Sequence, residues 1–434
     1  MIFLLGGLLL PGCERPFVEV NIPSITIEEP DLSVVLIEAS TVISVSASSF
    51  RSIKQVILNG DPMAFDPATG WWTHTVDLQR GLNPLIFEAL DIDDVVGTDT
   101  AYAMHLPFRF ASNGPRLPEP RGGHTASLIG GQGVLVTGGV SSRDGPAHGD
   151  AFLLRPGATV YDRLPSLHDP RVGHTATLLA DGRVLILGGS RSGTITSVAD
   201  MVESVEIYDP EDNQFERVPF EGQPIRRAYH TALLRSSGAN PRIDLYGGRG
   251  DIRYTPEPRL GTRSDLRSFI LRNDSLIALN TQASAPFLDI AIAGHTQTRI
   301  QPGVYLLLGS FFNGQAAENV SFRIDYTSPP NIFITEAPPL TIPRTRHADA
   351  TLGNGLLAFF GGHQAQPGQV LNTSELYSDA ANQFFTLPAP ERSIRRQGHT
   401  ATNLSAQRIL LIGGFGSDGN SLTLSEFFDA SLRN

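Results

Sequence analysis

A histidine unit that recurs six times constrains the fold of this 434-residue chain more than any other feature of its sequence. Successive histidines lie 50, 56, 65, 52 and 52 residues apart, and each precedes an apolar segment that ends at a glycine. A nearly constant period of this length indicates one supersecondary unit used repeatedly, in which each copy buries its apolar face against the next. The histidines are His124, His174, His230, His295, His347 and His399, and the glycines are Gly138, Gly188, Gly247, Gly309, Gly361 and Gly413.

Further features of the repeat indicate four β-strands in each copy. In five copies the glycine is the first of a pair, and a third apolar segment follows, such as Glu206-Ile207-Tyr208-Asp209. A fourth segment carries an aromatic residue before a proline, as in Phe215-Glu216-Arg217-Val218-Pro219. The 43 glycines and 31 prolines of the chain are typical of short strands joined by many turns. This pattern resembles the kelch-repeat family, and the resemblance implies a six-bladed β-propeller over residues 106–434.

The segment before the first repeat is expected to close the ring. The sixth copy ends six residues after Phe428, which is too short for a fourth strand of its own. Phe110 precedes His124 by 14 residues. Phe333, a fourth-strand phenylalanine, precedes His347 by the same interval. We therefore predict that residues 106–112 supply the outer strand of the last blade, which removes an exposed sheet edge.

Residues 17–105 alternate between apolar and polar positions in the manner of an antiparallel sheet. Turn residues such as Asn59-Gly60-Asp61-Pro62 separate the segments, and two tryptophans, Trp71 and Trp72, begin one of them. A region of roughly 90 residues with turns every 8–12 positions suits a β-sandwich. The order of turn, aromatic strand and Gly81-Leu82-Asn83 resembles bacterial immunoglobulin-like modules. The predicted fold class is therefore all-β, with a small immunoglobulin-like β-sandwich before the propeller.

Residues 1–16 contain a short apolar run that ends at Gly12-Cys13, and Cys13 is the single cysteine of the chain. The run resembles a bacterial lipoprotein signal, and the resemblance implies cleavage before Cys13 and lipidation of that residue. Apolar runs of about 7–15 residues are typical of secretory signals. We expect a lipid-anchored protein of the bacterial cell envelope, whose contact with the membrane is through the anchor alone. The alternative is an ordinary cleaved signal and a secreted protein.

Charge and cysteine content exclude several classes of function. The 33 basic and 44 acidic residues give a net charge of −11, and an acidic surface repels phosphate backbones, so no nucleic-acid partner is expected. One cysteine allows neither an intrachain disulfide nor a cysteine metal cluster. Kelch propellers of the galactose-oxidase type use a copper site with a tyrosine crosslinked to cysteine, and a cysteine in the signal cannot serve that purpose. We therefore predict no cofactor and no metal.

An arginine lies three residues before the histidine in five copies, and Ile292 replaces it in the fourth. Six histidines around a propeller axis have the donor atoms to bind a metal. A structural role is favoured, because a residue needed for packing recurs in every blade, whereas a catalytic or ligand-binding group is needed once. The arginines are Arg121, Arg171, Arg227, Arg344 and Arg396.

The long loop after the glycine pair of the third copy is the candidate binding surface. Long loops on a rigid scaffold commonly carry binding residues. This loop forms a local cationic patch on an acidic protein, and a variable surface loop without a partner is the alternative interpretation. Its candidate ligand-binding residues are Arg249, Arg253, Tyr254, Arg259, Arg263 and Arg267.

No serine–histidine–aspartate order or paired-carboxylate spacing in the sequence indicates catalysis. We therefore predict a non-catalytic binding or scaffold lipoprotein, whose propeller loop face recognises a protein or a glycan at the envelope. The alternative is a carbohydrate-active enzyme, of mutarotase, epimerase or oxidase-like type, with its site in the central propeller pocket. A cluster of acid, base or tyrosine groups at the pocket mouth, not repeated from blade to blade, would favour the enzyme.

Overall fold

The computed structural model describes residues 22–236, 240–252, 259–279, 291–309, 311–312, 315–316, 320–328, 332–364, 368–389 and 394–431. The chain divides into two compact units. The first contains the described residues up to Asp31 together with Ser40–Leu78 and Pro84–Tyr102, and the second contains Leu32–Ala39, Gln79–Asn83 and the described residues from Ala103 onward. The predicted signal and its lipidation residue Cys13 lie outside the described residues.

Two four-stranded sheets account for the first eight strands. These strands are β1 (Ser24–Glu29), β2 (Ser40–Ser48), β3 (Ile53–Leu58), β4 (Asp61–Pro62), β5 (Ala64–Asp66), β6 (Trp71–Asp77), β7 (Gly81–Asp91) and β8 (Val96–His105). Their orders are β1-β2-β6-β5 and β4-β3-β7-β8. Leu85, Phe87 and Ala89 are completely buried while the residues between them are not, the period of two that a strand with one buried face produces.

The strands of the second unit follow in short antiparallel runs. They are β9 (Arg109–Ala111), β10 (Thr125–Ile129), β11 (Gly133–Thr137), β12 (Ala151–Leu154), β13 (Asp162–Leu164), β14 (Thr175–Leu178), β15 (Val184–Leu187), β16 (Val205–Asp209), β17 (Gln214–Val218), β18 (Phe220–Glu221), β19 (Arg227–Ala228), β20 (Thr231–Ser236), β21 (Arg242–Tyr246), β22 (Arg249–Asp251), β23 (Leu260–Thr262), β24 (Leu266–Arg272), β25 (Ser275–Ala278), β26 (Thr296–Gln301), β27 (Val304–Leu308), β28 (Phe311–Phe312), β29 (Gln315–Ala316), β30 (Ser321–Asp325), β31 (Phe333–Glu336), β32 (Ala348–Thr351), β33 (Leu357–Phe360), β34 (His363–Gln364), β35 (Gln369–Val370), β36 (Ser374–Ser378), β37 (Gln383–Leu387), β38 (Thr400–Ser405), β39 (Arg408–Ile412) and β40 (Ser425–Asp429).

Each histidine repeat corresponds to one larger sheet. The six sheets have the orders β10-β11-β12-β13, β14-β15-β16-β17, β20-β21-β24-β25-β18, β26-β27-β30-β31, β32-β33-β36-β37 and β38-β39-β40-β9, and smaller ladders join β19-β22-β23, β28-β29 and β34-β35. The second strand of each sheet is mostly apolar, because both of its faces are covered; all four residues of β15, Val184–Leu187, are completely inaccessible to solvent, whereas β21 also contains Arg242 and Asp244. In the described residues the helical structure is one 3-10 turn at Val198–Asp200, so the prediction of an all-β chain is confirmed.

The last of these sheets takes its fourth strand from the segment that precedes the first repeat. β9 pairs antiparallel with β40, with Phe110 opposite Phe428 and their ring centroids 5.2 Å apart. The sequence places this strand at residues 106–112, and the ladder itself runs over Arg109–Ala111.

Six backbone hydrogen bonds connect the residues that precede the six histidines. Each amide donates to the carbonyl of the corresponding residue in the preceding repeat, and the first amide donates to the last carbonyl, so that the series returns to its starting residue. The bonds run from Gly173 to Gly123, Tyr229 to Gly173, Gly294 to Tyr229, Arg346 to Gly294, Gly398 to Arg346 and Gly123 to Gly398, at 2.7–2.8 Å.

No helix in the described ranges is long and apolar enough to cross a membrane.

Candidate functional site

The five repeated arginines are buried and form ion pairs within their own repeats. Each guanidinium also donates to the carbonyl of the first glycine of its repeat; Arg171, for example, reaches the Gly188 oxygen at 3.1 Å. Because all five arginines are removed from water, the pairs depend on these additional hydrogen bonds. The pairs are Arg121–Asp150 at 3.0 Å, Arg171–Glu206 at 2.5 Å, Arg227–Asp265 at 3.0 Å, Arg344–Glu375 at 2.6 Å and Arg396–Glu426 at 2.9 Å.

The fourth repeat replaces both members of this ion pair with apolar residues. Ile292 takes the place of the arginine and is completely buried. Phe322 lies opposite Leu307, as Glu206 lies opposite Ile186 in the second sheet, so it occupies the position of the acid. The loss of the charge on both sides together leaves no buried ion unpaired at this position.

Five of the six repeated histidines contact the preceding sheet through their imidazole rings. Five imidazole Nε2 atoms share a hydrogen bond with a threonine hydroxyl of that sheet, which ties neighbouring sheets together. The pairs are His174–Thr125 at 3.1 Å, His230–Thr175 at 3.3 Å, His295–Thr231 at 3.1 Å, His347–Thr296 at 2.8 Å and His124–Thr400 at 3.3 Å.

His399 is the exception, because the fifth repeat carries Ala348 where the others carry threonine. The buried Nε2 of His399 has no hydrogen-bond partner among the described residues. Burial, which comes first, lowers the pKa of all six histidines, to about 3 for His124, His295 and His347, and neighbouring arginines add to this effect for all but His295. The six imidazoles are therefore neutral at pH 7.

The first glycine of each pair permits the close approach of the next repeat. Gly138 has φ +63°, and a Cβ at this position would lie 2.3 Å from the Arg171 carbonyl oxygen and 2.7 Å from the His174 ring. A side chain is excluded there by both backbone conformation and space. The corresponding glycines of the other repeats meet the same two groups.

The candidate binding loop of the third repeat is brought together only in part. Arg263 is buried, and both of its Asp265 contacts measure 2.6 Å. Although burial opposes ionisation, Arg227 and Arg263 hold the pKa of Asp265 well below its usual range. Arg267 donates to the carbonyls of Pro224 and Gln223 and lies over the Phe269 ring.

The other members of that loop differ in their surroundings. Arg259 is exposed, and its backbone amide donates to Asp251. Arg253 and Tyr254 lie outside the described residues. Arg249 points toward the loop of the second repeat, where it donates to the Ile195 carbonyl at 3.3 Å. Of the six candidate residues, Arg249 therefore reaches a cavity, whereas Arg263 is held away from solvent by its ion pair.

That cavity lies where the first strands of the six larger sheets begin, next to the six backbone hydrogen bonds that connect the repeats. We call it the mouth; its volume is about 310 Å³, and its charged lining residues are Arg143, Asp144, Arg249 and Arg346. The loops of the first and second repeats close one side of it, since Gly193 donates to the Gly145 carbonyl at 3.0 Å.

Two residues of the hydrogen-bonded series at the mouth are not glycine, unlike their counterparts in the other four repeats. The residue before the histidine is glycine in four repeats, with φ between +58° and +70°, but Tyr229 and Arg346 occupy this position at φ +56° and +53°. The left-handed conformation costs a residue with a side chain about 1–2 kcal/mol. Their side chains meet across the mouth, with the Arg346 guanidinium 4.8 Å from the Tyr229 ring centroid.

The mouth arginines differ from the repeated arginines in their charge balance. Within the described part of the chain, no carboxylate forms an ion pair with Arg143, Arg249 or Arg346. Asp144 accepts a hydrogen bond from the Thr194 hydroxyl. Burial, followed by Arg143 and Arg346, lowers the pKa of the nearby His363. This imidazole is therefore neutral at pH 7 and does not change the charge of the mouth. The mouth therefore carries an excess of positive charge.

A second cavity of about 360 Å³, the shaft, continues from the mouth between the inner strands. It contains one carboxyl group that has no counterpart in the other repeats, Asp349, which accepts a hydrogen bond from Thr298 at 2.6 Å. Burial raises the pKa of Asp349. No group of three or more histidine, cysteine or acidic side chains in the described ranges is placed to hold a metal ion.

Sequence reasoning missed Arg143, Tyr229 and Arg346. The signal for two of them is present in the repeat, because Tyr229-His230 and Arg346-His347 stand where four other copies have glycine before histidine. Arg143 lies in a loop with no repeat pattern, so only the fold brings it to the mouth.

No family model and no curated protein sequence matches the chain. Among solved structures, one described as the structure of YjhT superposes on it with a TM-score of 0.56 at 14% sequence identity. The superposition covers 72% of this chain and 96% of YjhT. At this level of identity the similarity concerns the fold alone.

Proposed function

We propose that the second unit is a six-bladed kelch-type β-propeller that binds an anionic ligand at its mouth without transforming it. The repeat period, the six larger sheets and the series of hydrogen bonds that returns to Gly123 support the propeller. The immunoglobulin-like β-sandwich is proposed for the first unit on the basis of its two four-stranded sheets.

The observation that carries the binding function is the pair of strained residues at the mouth. Glycine serves at this ring position in four of the six repeats, so Tyr229 and Arg346 are not required by the fold. Residues held in unfavourable backbone conformations cluster at functional sites, where the surrounding structure supports the strain. Both side chains line the mouth, and this supports a role in recognition.

The charge of the mouth supports an anionic ligand. Arg143, Arg249 and Arg346 form no ion pair with a described carboxylate, and guanidinium groups bind carboxylates, sulfates and phosphates through paired hydrogen bonds. The Tyr229 ring offers a flat apolar surface beside them, as sugar rings and aromatic side chains require. An acidic glycan or an acidic protein loop satisfies both features.

The proposed location is the bacterial cell envelope, through a lipid anchor on Cys13. The resemblance of residues 1–13 to a lipoprotein signal supports this part of the proposal. Such an anchor would keep the mouth near envelope glycans or proteins.

The alternative is a carbohydrate-active enzyme, and one observation favours it. The mouth and the shaft contain a tyrosine and two acids that are not repeated from sheet to sheet, namely Tyr229, Asp144 and Asp349, and His363 lies close to two of the mouth arginines. If the protein converts a bound sugar to a product, the enzyme is the correct assignment and the non-catalytic binding protein is not.

The test is a glycan array that contains uronic, sialylated and sulfated glycans beside their neutral counterparts, probed with the Cys13→Ser chain. We expect binding to anionic glycans, weakened at least 10-fold in Arg346→Gly and Arg143→Gln, because each removes an unpaired cation from the mouth. The matched control is Arg299→Gln, which removes an exposed arginine of β26 and should bind as the parent does.

Equal binding of neutral and anionic glycans, or binding that both mouth variants retain, would contradict the proposed site. If no glycan binds, the same variants are compared with the parent for capture of acidic envelope proteins. Product formation from any retained sugar, followed by chromatography, would establish the enzyme instead.

A further inference from the structure

A third cavity of the second unit lies at the other end of the strands from the mouth. It is a groove of about 770 Å³ between the first and last of the larger sheets. Three hairpin turns line it, those of β10–β11, β12–β13 and β38–β39, together with residues 113–116. We call it the turn groove. None of the proposed mouth residues contributes to it.

The turn groove exists because one hairpin of the repeat is longer and differently built. In the second and fifth sheets the corresponding turns, residues 210–213 and 379–382, are short, and a tyrosine hydroxyl donates to an asparagine side chain across each at 2.9 Å. In the first sheet Leu154 replaces the tyrosine, and the connection extends over residues 155–161. The longer connection stands beside the last sheet and forms one wall.

The lining of the turn groove is predominantly apolar. Its floor contains Val134 and Leu154, which belong to a buried cluster between the first and last sheets, and Phe427 packs against that cluster. Leu128 and Val160 at the edge are 39% and 68% exposed. An apolar ligand that covers such an exposed surface removes it from water, and this makes binding favourable.

The charged side chains that line the turn groove are all cationic. Arg116 and Arg408 are exposed at its rim, with the Arg408 guanidinium 4.0 Å from the Phe427 ring centroid, and Arg155 is paired with Asp162 at 2.6 Å. No carboxylate occurs among the groove's described lining residues, although the chain as a whole has a net charge of −11. The rim therefore complements a negative group.

We propose that the turn groove binds a single-chain anionic amphiphile of the fatty-acid class, with its chain along Leu128, Val160 and Phe427 and its carboxylate at Arg116 and Arg408. The volume is within the roughly 300–1,000 Å³ of small-molecule sites. A protein partner would need a surface of more than about 1,000 Å², which this groove between three turns does not offer. This inference is independent of the function proposed for the mouth.

The test uses the full chain with Cys13→Ser, so that no covalent acyl chain competes. The fluorescent probe 1-anilinonaphthalene-8-sulfonate is bound first, and sodium decanoate, 1-decanol and sodium acetate are then compared as competitors. Decanoate should displace the probe at concentrations at least 10-fold lower than decanol, and acetate should not displace it. Arg116→Gln combined with Arg408→Gln should weaken decanoate about 10-fold and decanol less than 2-fold.

Val160→Glu places a charge in the apolar wall and should weaken decanoate at least 10-fold. The matched control is Val42→Glu, an exposed valine of β2, which should leave the affinity unchanged. Equal displacement by decanoate and decanol, or full affinity in Val160→Glu, would overturn the assignment. So would binding to anionic phospholipid vesicles without binding to free decanoate, since that result assigns the surface to a membrane.

Discussion

The arginines of this protein fall into two groups that differ in partner and in position. The repeated arginines, such as Arg171 and Arg344, are buried, occur once in each of five repeats and form ion pairs with an acid of the same repeat. The mouth arginines, such as Arg143 and Arg346, occur without repetition and form no ion pair with a described carboxylate. The same side chain thus stabilises the framework in one region and supplies uncompensated charge in the other.

Repetition separates the two roles because every sheet has the same packing to satisfy. A group that each sheet needs appears in each repeat, as the histidine and the first glycine do. A ligand meets the molecule at one place, so its binding groups appear as exceptions to the repeat. Tyr229 and Arg346 are such exceptions, and so is Asp349 in the shaft.

The largest expected effect concerns the pH dependence of the framework. Folding lowers the pKa of His124, His295 and His347 to about 3, from an ordinary value of 6.5, and shifts the other three repeated histidines in the same direction. The unfolded chain then binds more protons below pH 6.5, so stability is complete above pH 6.5 and is lost as pH falls toward 3. Each imidazole contributes about 1.4 kcal/mol per pH unit, so the six together change the free energy of unfolding by roughly 8 kcal/mol per pH unit below pH 6.5.

The measurement is urea unfolding at pH 7.0, 6.0 and 5.0, with proton uptake on unfolding followed at pH 5.0. The single substitution His230→Asn should reduce the uptake by one proton. Anion binding at the mouth rests on arginines, which stay charged throughout this range, so the affinity of the folded protein should not follow the stability curve. A stability that is constant from pH 7 to pH 5 would contradict the assignment of the histidines to the framework.

The next effect breaks one framework ion pair. Arg171→Met leaves Glu206 buried without its partner, and we expect the free energy of unfolding to fall by about 3–5 kcal/mol. The matched control is Arg171→Ile with Glu206→Phe, which copies the apolar pair Ile292 and Phe322 of the fourth repeat. This double variant should recover part of the loss, because no buried charge remains unpaired, although the His168 and Asp169 amides lose the carboxylate that accepts their hydrogen bonds. Urea unfolding of the three proteins would decide, and an equal loss in both variants would show that the apolar pair does not substitute for the ionic one.

The all-β fold class could be predicted from the sequence because its signals are local and repeated. The apolar run of β15, the glycine at Gly138 and the turn before β17 each depend on residues close in the chain. The pairing of β9 with β40 joins residues more than 300 positions apart, and it could be predicted only from the count of strands in the repeat and the 14-residue interval between Phe110 and His124.

The candidate site was harder to predict, for a physical reason. Arg263 belongs to a cationic loop in the sequence, but Asp265 two residues later turns it into a buried ion pair. Arg143 and Arg249 are about 100 positions apart and meet at one cavity because successive repeats bring their loops to the same end of the sheets. Composition of a loop therefore does not indicate which of its charges remain available.

A smaller effect is expected where the framework itself is incomplete. Ala348→Thr offers a hydroxyl to the buried Nε2 of His399, which lacks the partner that the other five histidines have. One such hydrogen bond contributes about 1 kcal/mol, so the free energy of unfolding should rise by that amount. Ala348→Val has the same shape without the hydroxyl and is the control. If valine stabilises the protein as much as threonine does, the gain comes from packing and not from the hydrogen bond.

The smallest effect on the free energy of unfolding is expected at the mouth. Arg346→Gly relieves a left-handed conformation worth about 1–2 kcal/mol. It also loses the contact with Tyr229, about 0.5–1 kcal/mol, and adds backbone entropy of about 0.5–1 kcal/mol to the unfolded chain. These contributions cancel, so the free energy of unfolding should change by less than about 0.5 kcal/mol while anion binding falls at least 10-fold.

The mirror substitution at the same ring position is Gly398→Ala, where glycine has φ +58° and a Cβ would lie 3.2 Å from the Phe415 ring. It imposes the strain without adding a binding group, so it should lower the free energy of unfolding by about 1–2 kcal/mol and leave the anion affinity unchanged. A loss of stability in Arg346→Gly as large as that in Gly398→Ala would make Arg346 part of the framework. If Arg346 is a strained residue retained for recognition, Arg346→Gly should lose affinity but not stability, and Gly398→Ala should lose stability but not affinity.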